Sequence, residues 1–472
     1  MEVESKRFKP AARAALLDTR LQSALENIQK GFPGKRARAI DGLPEWPEIR
    51  EHGTAIRDHT IAHLDTYLER FERRVTESGG EVHWASDPAE ACDAIAAICR
   101  AAGARTVAKG KSMATEEIGL NDHLEGEGFT PIETDLGEYI LQLRGDHPSH
   151  IIAPAIHLKR DQIYEAFKAH HDPAMSSNSD GHAELQAEAR RVLRQRFLDA
   201  DVGITGANFC IAETGSTVIV TNEGNGDLSQ ALPRVHIVVA GIDKVVPTLE
   251  DTSTLLRLLG RSATGQDITV YTTFSTGPKR PDDLDGPEEF HVVLLDNGRS
   301  DMLGGELEPM MRCIRCGACM NHCPVYGAVG GHAYGWVYPG PMGAVLTPQM
   351  VGIENSGDLP NASTFCGRCA EVCPVKIPLP DLMRHWRERE YEAGYQPATA
   401  RWGIGIWAWI ARRPWLYHRM ARIGARALRL LARRRGRITR VPLAGGWTDT
   451  RDLPAPTART FTDQWRAGRR SD

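Results

Sequence analysis

Seven of the ten cysteines of this 472-residue chain lie in two short runs, and their spacing limits what the chain can fold around. The first run ends in Cys-Pro and has thiols at Cys313, Cys316, Cys319 and Cys323. The second run also ends in Cys-Pro and has thiols at Cys366, Cys369 and Cys373. Three thiolates at steps of three residues surround one cubane, and the cysteine before proline ligates a neighbouring cluster. The spacing therefore predicts a ferredoxin-type domain with two iron–sulfur clusters.

The ferredoxin pattern pairs the cysteines crosswise between the two runs. Cluster 1, a [4Fe-4S] centre, is expected to be held by Cys313, Cys316, Cys319 and Cys373. Cluster 2 is expected to be held by Cys323, Cys366 and Cys369. Ser363 stands three residues before Cys366, where the full pattern has a cysteine. The sequence leaves open whether Ser363 ligates cluster 2, whether another group does, or whether cluster 2 is a [3Fe-4S] centre.

Other uses of cysteine fit the two runs less well. Zinc sites commonly pair two C-x2-C knuckles and stop at four ligands. Disulfide frameworks are typical of short secreted chains, and this N-terminus has no apolar export segment.

The longest apolar run, residues 403–411, is far shorter than the ~20 residues that span a bilayer. We therefore expect a cytoplasmic iron–sulfur protein, and the net charge of -4 gives no nucleic-acid signal.

Strand-like and helical segments alternate through the middle of the chain. The strand-like segments are residues 82–84, 106–108, 218–220, 236–239, 268–271 and 291–295. Such alternation predicts an α/β domain with a mostly parallel sheet, preceded by helices at residues 10–30 and 47–78. We expect four segments: an N-terminal helical segment, the α/β domain, a helical two-cluster ferredoxin-type domain and a basic helical C-terminal region. Their predicted ranges are 1–79, 80–300, 301–394 and 395–472.

Polar, glycine-rich segments follow several of the predicted strands. Ligands of parallel sheets bind at the carboxyl ends of strands, so these segments predict a pocket. The candidate pocket residues are Lys111, Ser112, Glu133, Asp135, Asn208, Thr214, Asn222, Glu223 and Asn225. The alternative is that these residues only cap helices and tight turns. His147, His150 and His157 are close in sequence but lack clear ligand spacing, so the sequence does not predict a metal site there.

The C-terminal region is strongly basic. Residues 401–440 contain twelve arginines, interleaved with Trp402, Trp407, Trp409 and Trp415. A basic helix that carries tryptophans is typical of an element lying on a membrane surface. The alternative is a docking surface for acidic partner subunits.

Several ordered motifs resemble the lactate-utilisation (LUD) domain. They are Lys-Gly-Lys-Ser-Met at 109–113, Glu-Thr-Asp-Leu-Gly-Glu-Tyr at 133–139, Gly-Ile-Thr-Gly-Ala-Asn at 203–208 and Thr-Asn-Glu-Gly-Asn at 221–225. With the cysteine runs and the basic tail, the chain resembles the lactate-utilisation iron–sulfur protein B family from about residue 10 to its end. The resemblance implies a LUD fold similar to the sugar-phosphate isomerase and CoA-transferase superfold. It also implies the same cluster ligands as the spacing does, and a missing eighth cysteine is usual in the family.

The resemblance further implies a function. Members of the family act with two partners to oxidise L-lactate to pyruvate: a cysteine-rich, heterodisulfide-reductase-like protein and a smaller LUD-only protein. The sequence therefore predicts an electron-transfer subunit of an oxidoreductase complex. The alternative is an autonomous LUD enzyme with accessory or structural clusters, for which Glu133, Asp135 and Glu223 are the candidate bases.

Overall fold

The computed structural model describes residues 3–171, 181–432, 435–441, 448 and 451–468. The chain divides into two units, Met1–Arg389 and Glu390–Asp472. The helical segment, the α/β domain and most of the cysteine-rich segment all belong to the first unit. The four sequence ranges given above stay a prediction.

Four helices open the first unit. They are α1 (Phe8–Leu17), α2 (Thr19–Asp41), α3 (Trp46–Ala62) and α4 (Leu64–Glu77). Each of the two predicted helices is thus divided. Asp18 ends α1 and caps α2, since its carboxylate accepts from the amides of Arg20 and Leu21. His63, with φ -130° and ψ 35°, separates α3 from α4.

Two sheets form the centre of this unit. The strands are β1 (Glu81–Ala85), β2 (Thr106–Lys109), β3 (Thr130–Glu133), β4 (Val202–Gly206), β5 (Phe209–Ile211), β6 (Ser216–Thr221), β7 (Val235–Gly241), β8 (Val245–Val246), β9 (Tyr271–Ser275) and β10 (Glu289–Leu295). Within the described residues, β1, β10, β7, β4, β2 and β3 form one sheet in that order, and every neighbouring pair is parallel. All seven residues of β7 are buried, as expected for a central parallel strand.

The second sheet is smaller and mixed, with the order β8-β5-β6-β9. β9 pairs antiparallel with β6 and begins at Tyr271, which lies opposite Thr221. The strand predicted over residues 268–271 is therefore wrong in its bounds. The side chains of Ile268 and Val270 are exposed, so these β-branched residues do not belong to a buried strand.

Helices cover the large sheet and carry its connections. They are α5 (Pro88–Ala101), α6 (Met113–Glu117), α7 (Leu120–Gly126), α8 (Leu136–Arg144), α9 (Arg160–His170), α10 (His182–Leu198), α11 (Asn225–Ala231) and α12 (Leu249–Ala263). Helices α6, α8 and α11 each begin within a few residues after a strand, which brings their N-termini to the carboxyl edges of the sheets.

The cysteine-rich segment consists of short helices: α13 (Ala318–Asn321), α14 (Pro324–Val329), α15 (Gly340–Val351), α16 (Ile353–Ser356), α17 (Arg368–Glu371) and α18 (Leu379–Glu392). Residues 340–348 of α15, which lie between the two cysteine runs, are all buried. This glycine-rich stretch is therefore part of the core.

The second unit is helical, with α19 (Ala398–Ala411), α20 (Pro414–Ala432), a short pair of strands β11 (Arg437–Ile438) and β12 (Leu453–Pro454), and α21 (Phe461–Gly468). Among the described helices, none combines the length and apolar character needed to cross a bilayer. The predicted fold class is confirmed: a mostly parallel α/β domain is followed by a helical cysteine-rich region and a helical C-terminal region.

Candidate functional site

The two cysteine runs repeat one backbone conformation. Arg315 and Gly317, on either side of Cys316, have positive φ angles of 55° and 69°. Phe365 and Gly367, on either side of Cys366, have φ angles of 54° and 80°. Left-handed backbone is uncommon outside glycine, so its recurrence at both positions marks a shared loop. Cys316 therefore corresponds to Cys366, and counting back three residues pairs Cys313 with Ser363.

The structure brings the cysteines together as two groups. Four of them line a single small cavity: Cys313, Cys316, Cys319 and Cys373. The remaining three are Cys323, Cys366 and Cys369, which lie close enough to affect one another's pKa. Burial raises the pKa of Cys369 to about 12, and the charge of Cys323 contributes to this rise. Cys366 also raises the pKa of both of them. The first group is largely enclosed, whereas Cys366 is exposed.

Backbone amides point at the sulfur atoms in both runs. The amide of Ala318 donates to Cys316, and at the equivalent place in the second run the amide of Arg368 donates to Cys366. Ile377 N donates to the Sγ of Cys373 at 3.4 Å. Amide donors stabilise thiolate charge and are found around iron–sulfur clusters, whose potentials they tune. The surroundings of both groups thus fit the predicted iron–sulfur groups, with four thiols in the first group and three in the second.

Ser363 occupies the loop position that Cys313 occupies in the first run. It is partly buried, and its Oγ accepts from the amide of Phe365 at 3.1 Å. The hydroxyl oxygen is therefore bonded to the backbone of the second cysteine loop.

Buried cations surround the first cysteine group. From the N-terminal helices, Arg50 Nε donates to the Cys373 carbonyl at 2.8 Å and Arg36 donates to the Val372 carbonyl at 2.8 Å. From the same helices, Arg57, which is 2% exposed, donates to the Met311 carbonyl at 2.9 Å. Guanidinium groups hold their charge when buried. The positive charge next to this cysteine group is therefore built into the fold.

A cavity of about 230 Å³ lies at the carboxyl edges of the two sheets, next to the first cysteine loop. Seven of the nine predicted pocket residues line it: Lys111, Ser112, Asp135, Asn208, Asn222, Glu223 and Asn225. Ser112 and Asp135 also cap helices α6 and α8. The sequence offered capping and pocket lining as alternatives, and Ser112 and Asp135 do both.

Two predicted pocket residues lie outside this cavity. Glu133 is buried on the other side of β3, where it pairs with Lys109 at 2.7 Å and accepts from Asn121. Thr214 lies in the turn between β5 and β6 and donates to Ser216. Glu133 is engaged by Lys109 and Asn121, and Thr214 belongs to a hairpin turn, so neither lines the cavity.

The acidic side of the cavity consists of Glu223 and Asp135. Burial raises the pKa of Glu223, and the nearby charge of Asp135 adds to this rise. Glu223 accepts from the amide of Leu136 at 3.3 Å. Lys111 Nζ lies 3.7 Å from Asp135 and donates to the Ile152 carbonyl at 2.8 Å. A carboxyl group with a raised pKa in a partly enclosed cavity is a candidate for proton transfer.

The basic side of the cavity was not predicted from the sequence. Lys244, Arg299, Arg315 and Tyr338 line this wall. Lys244 Nζ and Arg315 both face the buried carboxylate of Asp243, at 3.2 and 3.8 Å. Burial lowers the pKa of Lys244 to about 8. Arg315 lies between two predicted cluster ligands, so one side chain borders both the cavity and the first cysteine group.

Comparison with known proteins agrees with this organisation. Residues 68–295 match the LUD domain, and residues 309–377 match a 4Fe-4S dicluster domain. The chain thus carries a domain typical of iron–sulfur cofactors. A duf162 family protein from Deinococcus radiodurans, known from a crystal structure, is 19% identical and covers 49% of this chain and 98% of its own, with a TM-score of 0.25.

Full-length relatives are much more similar. The chain is 42% identical over 473 residues to "Lactate utilization protein B" of Bacillus pumilus (strain SAFR-032), a match that covers 99% of this chain and 98% of the relative. It is also 42% identical over 467 residues to the protein of the same name from Bacillus thuringiensis (strain Al Hakam), with the same coverage. At this identity and coverage, the chain belongs to the lactate utilization protein B family.

Proposed function

We propose that this protein is the iron–sulfur electron-transfer subunit of a three-protein complex that oxidises L-lactate to pyruvate. The observation that carries the proposal is the pair of matching cysteine loops, the first of which borders the LUD cavity. The full-length relatives, whose name refers to lactate utilization, support the choice of pathway. The complex works in the cytoplasm in this proposal.

The proposal assigns two [4Fe-4S] clusters to the cysteine loops. Cys313, Cys316, Cys319 and Cys373 ligate cluster 1, and Cys323, Cys366 and Cys369 ligate cluster 2. Ser363 supplies the fourth ligand of cluster 2 through its oxygen, because it stands at the loop position of Cys313. When bound, such clusters accept and release single electrons. The protein's part is to hold them at a fixed separation and to set their surroundings by burial, amide donors and buried arginines.

The partners in this proposal supply what the chain lacks. Lactate oxidation releases two electrons, whereas each cluster takes one at a time, so a second component must divide the pair. The cysteine-rich heterodisulfide-reductase-like subunit and the LUD-only subunit fill these roles. The basic, tryptophan-bearing residues 401–440 place the complex at the membrane surface as a peripheral contact.

The first test is spectroscopic and uses the full chain purified without oxygen. We expect about eight irons per chain, and EPR signals of two interacting clusters after reduction. Adding L-lactate with both partner proteins should produce the same reduced spectrum. The variant Cys316→Ser should lose cluster 1 and abolish lactate-dependent growth, and unimpaired growth of that variant would exclude electron transfer through cluster 1.

The LUD cavity favours a second candidate function, an autonomous LUD enzyme. Its raised-pKa carboxyl group, Glu223, faces a wall with Lys244 and Arg315, an arrangement suited to a small carboxylate substrate. Lactate oxidation by the isolated chain with an artificial electron acceptor, lost in Glu223→Gln, would favour this function over the subunit role. Activity that appears only when both partners are added would favour the first proposal.

A further inference from the structure

Two histidines and an aspartate meet where the loop after α8 touches the segment between the cysteine runs. The nitrogen and oxygen atoms offered by Asp146, His157 and His332 lie within 4.8 Å of one another. Asp146 Oδ2 lies 3.1 Å from His157 Nε2, and its Oδ1 lies 3.7 Å from His332 Nε2. In the metal-free chain the same nitrogen of His332 donates to the carbonyl oxygen of His147 at 2.8 Å. Two imidazoles and a carboxylate therefore face one small volume.

Both ring nitrogens of His157 have polar neighbours. Its Nδ1 lies 2.7 Å from Ser149 Oγ, and its Nε2 lies 3.1 Å from Asp146 Oδ2. Ser149 Oγ also lies 3.1 Å from the Pro154 carbonyl, to which it can donate. When Ser149 donates there and accepts from His157 Nδ1, the lone pair of His157 is on Nε2, where it can bind a cation together with Asp146.

The spacing of these groups suits a metal ion. Zinc binds histidine nitrogen and carboxylate oxygen at about 2.0–2.2 Å in tetrahedral geometry, which puts neighbouring ligand atoms roughly 3.4 Å apart. The contacts of Asp146 with His157 and His332, 3.1 and 3.7 Å, bracket that separation. The contact between Ser149 Oγ and the distal nitrogen of His157 is the kind of outer contact that orients metal-binding histidines.

We propose that Asp146, His157 and His332 bind a zinc ion. Two imidazoles with a carboxylate are a ligand set that suits zinc, and no thiolate of the clusters is needed. The His157 side chain is 9% exposed and that of His332 is 41% exposed, so the site is held from inside and open to entry from solvent.

Such a zinc ion would cross-link two segments that are far apart in sequence. Asp146 and His157 belong to the LUD domain, whereas His332 lies between the two cysteine runs. Tyr326 already joins these segments by donating to the Ser149 carbonyl at 2.8 Å. The ion would strengthen this junction without taking part in electron transfer, since no predicted cluster ligand belongs to its ligand set.

The test is zinc binding to the full chain with its clusters in place. We expect one zinc per chain to remain after exposure to zinc sulfate and desalting, and a melting temperature that falls when a chelator is added. His332→Ala and His157→Ala should each lose the bound zinc and the chelator effect. His52→Ala, at an exposed position on α3, should behave as the wild type.

X-ray absorption at the zinc edge separates this site from zinc misplaced among the cysteines. The proposal requires a shell of nitrogen and oxygen with imidazole scattering and no sulfur. A sulfur shell, zinc that is not retained by the wild type, or zinc retained equally by His332→Ala would overturn it. Unchanged iron and sulfide content in the variants will show that loss of zinc is not loss of the fold.

Discussion

At the scale of single residues, the two cysteine groups differ in their charged surroundings. The first group has guanidinium groups at hydrogen-bond distance from its backbone, from Arg36, Arg50 and Arg57. Cys366 of the second group is exposed to water. Because positive charge favours the reduced state of a cluster, we expect side chains from the N-terminal helices to help determine how easily the proposed cluster 1 accepts an electron.

Replacing Arg50 by Gln should shift the reduction potential of cluster 1 to a more negative value. The change removes a half-buried positive charge beside Cys373, so the extra electron is less stabilised. An EPR-monitored potentiometric titration measures the shift. Arg73→Gln, at an exposed position of α4, is the matched control. Equal potentials in the wild type and Arg50→Gln would show that this arginine does not tune the cluster.

Replacing Ser363 by Ala should convert cluster 2 to a three-iron centre. The change removes the oxygen that stands at the loop position of Cys313, which leaves three protein ligands. We expect iron content to fall by about one per chain, with a new EPR signal in the oxidised protein. Ser363→Cys should keep the full iron content. If the alanine variant has the wild-type spectrum, the fourth ligand is another group.

At the scale of elements, the central strands depend on close backbone approach. Strand β4 passes against the end of α11, and a methyl group added at Gly203 would lie 1.7 Å from the carbonyl oxygen of Ser229. Backbone atoms cannot rotate away as side chains do. The glycine is therefore required by the contact between β4 and α11, the helix that follows β6.

We expect Gly203→Ala to lower the free energy of unfolding by about 1–3 kcal/mol, the usual cost of overpacking a core. Chemical denaturation under anaerobic conditions gives the comparison. Gly126→Ala, at the end of α7, adds a methyl group with no atom within 4 Å and should cost little. Equal denaturation midpoints for the two variants would contradict the close contact.

His236, the second residue of β7, makes the sheet sensitive to acid. It is buried beside Phe290, its Nε2 is 2.8 Å from Thr205 Oγ1, and burial lowers its pKa from 6.5 to about 3. Below about pH 6.5 the unfolded chain gains a proton that the folded chain excludes. The contribution of neutral His236 to the free energy of unfolding is therefore fully present above that pH. As the pH decreases from there toward 3, the free energy of unfolding falls by roughly 1.4 kcal/mol per pH unit.

The variant His236→Asn should flatten this dependence. Urea midpoints measured at about pH 7 and about pH 5 should differ less in the variant than in the wild type, since asparagine does not titrate. His52→Asn removes a histidine on the surface and should leave the wild-type difference unchanged. The same difference in all three proteins would assign the acid sensitivity to other groups.

At the scale of the whole molecule, the C-terminal unit has a surface unlike that of a typical soluble domain. The side chains of Trp402, Trp407 and Trp409 on α19 are 74%, 63% and 55% exposed. Arginines follow along α20. Exposed tryptophans beside arginines suit the interface of an anionic membrane, where the rings insert and the cations meet headgroups.

The protein should therefore sediment with vesicles that contain phosphatidylglycerol, and less with vesicles of phosphatidylcholine alone. Salt should weaken the binding, because arginines supply part of it. Replacing both Trp402 and Trp407 by Ala should reduce it severalfold, whereas Trp84→Ala, at an exposed position of β1, should not. Absence of binding to either vesicle would favour the acidic partner subunit instead.

The sequence predicted those parts of the molecule that local patterns encode. The cysteine spacing and the strand–helix alternation are such patterns. Strands β3 and β4, with sequences Thr-Pro-Ile-Glu and Val-Gly-Ile-Thr-Gly, were missed because proline and glycine hide their strand character. Lys244 and Arg315 were missed because tertiary structure alone brings them to one cavity wall. His332 was missed for the same reason, since it lies 175 positions after His157.

The contacts between the N-terminal helices and the second cysteine run have a consequence for biosynthesis. Arg36 and Arg50 bind carbonyls of residues more than 300 positions later in the chain. While the ribosome is still making the α/β domain, these arginines have no partner, and the loop that completes the cysteine set does not yet exist. In the proposed two-cluster protein, iron delivery would therefore finish only after the end of the second run has emerged and closed against helices made first.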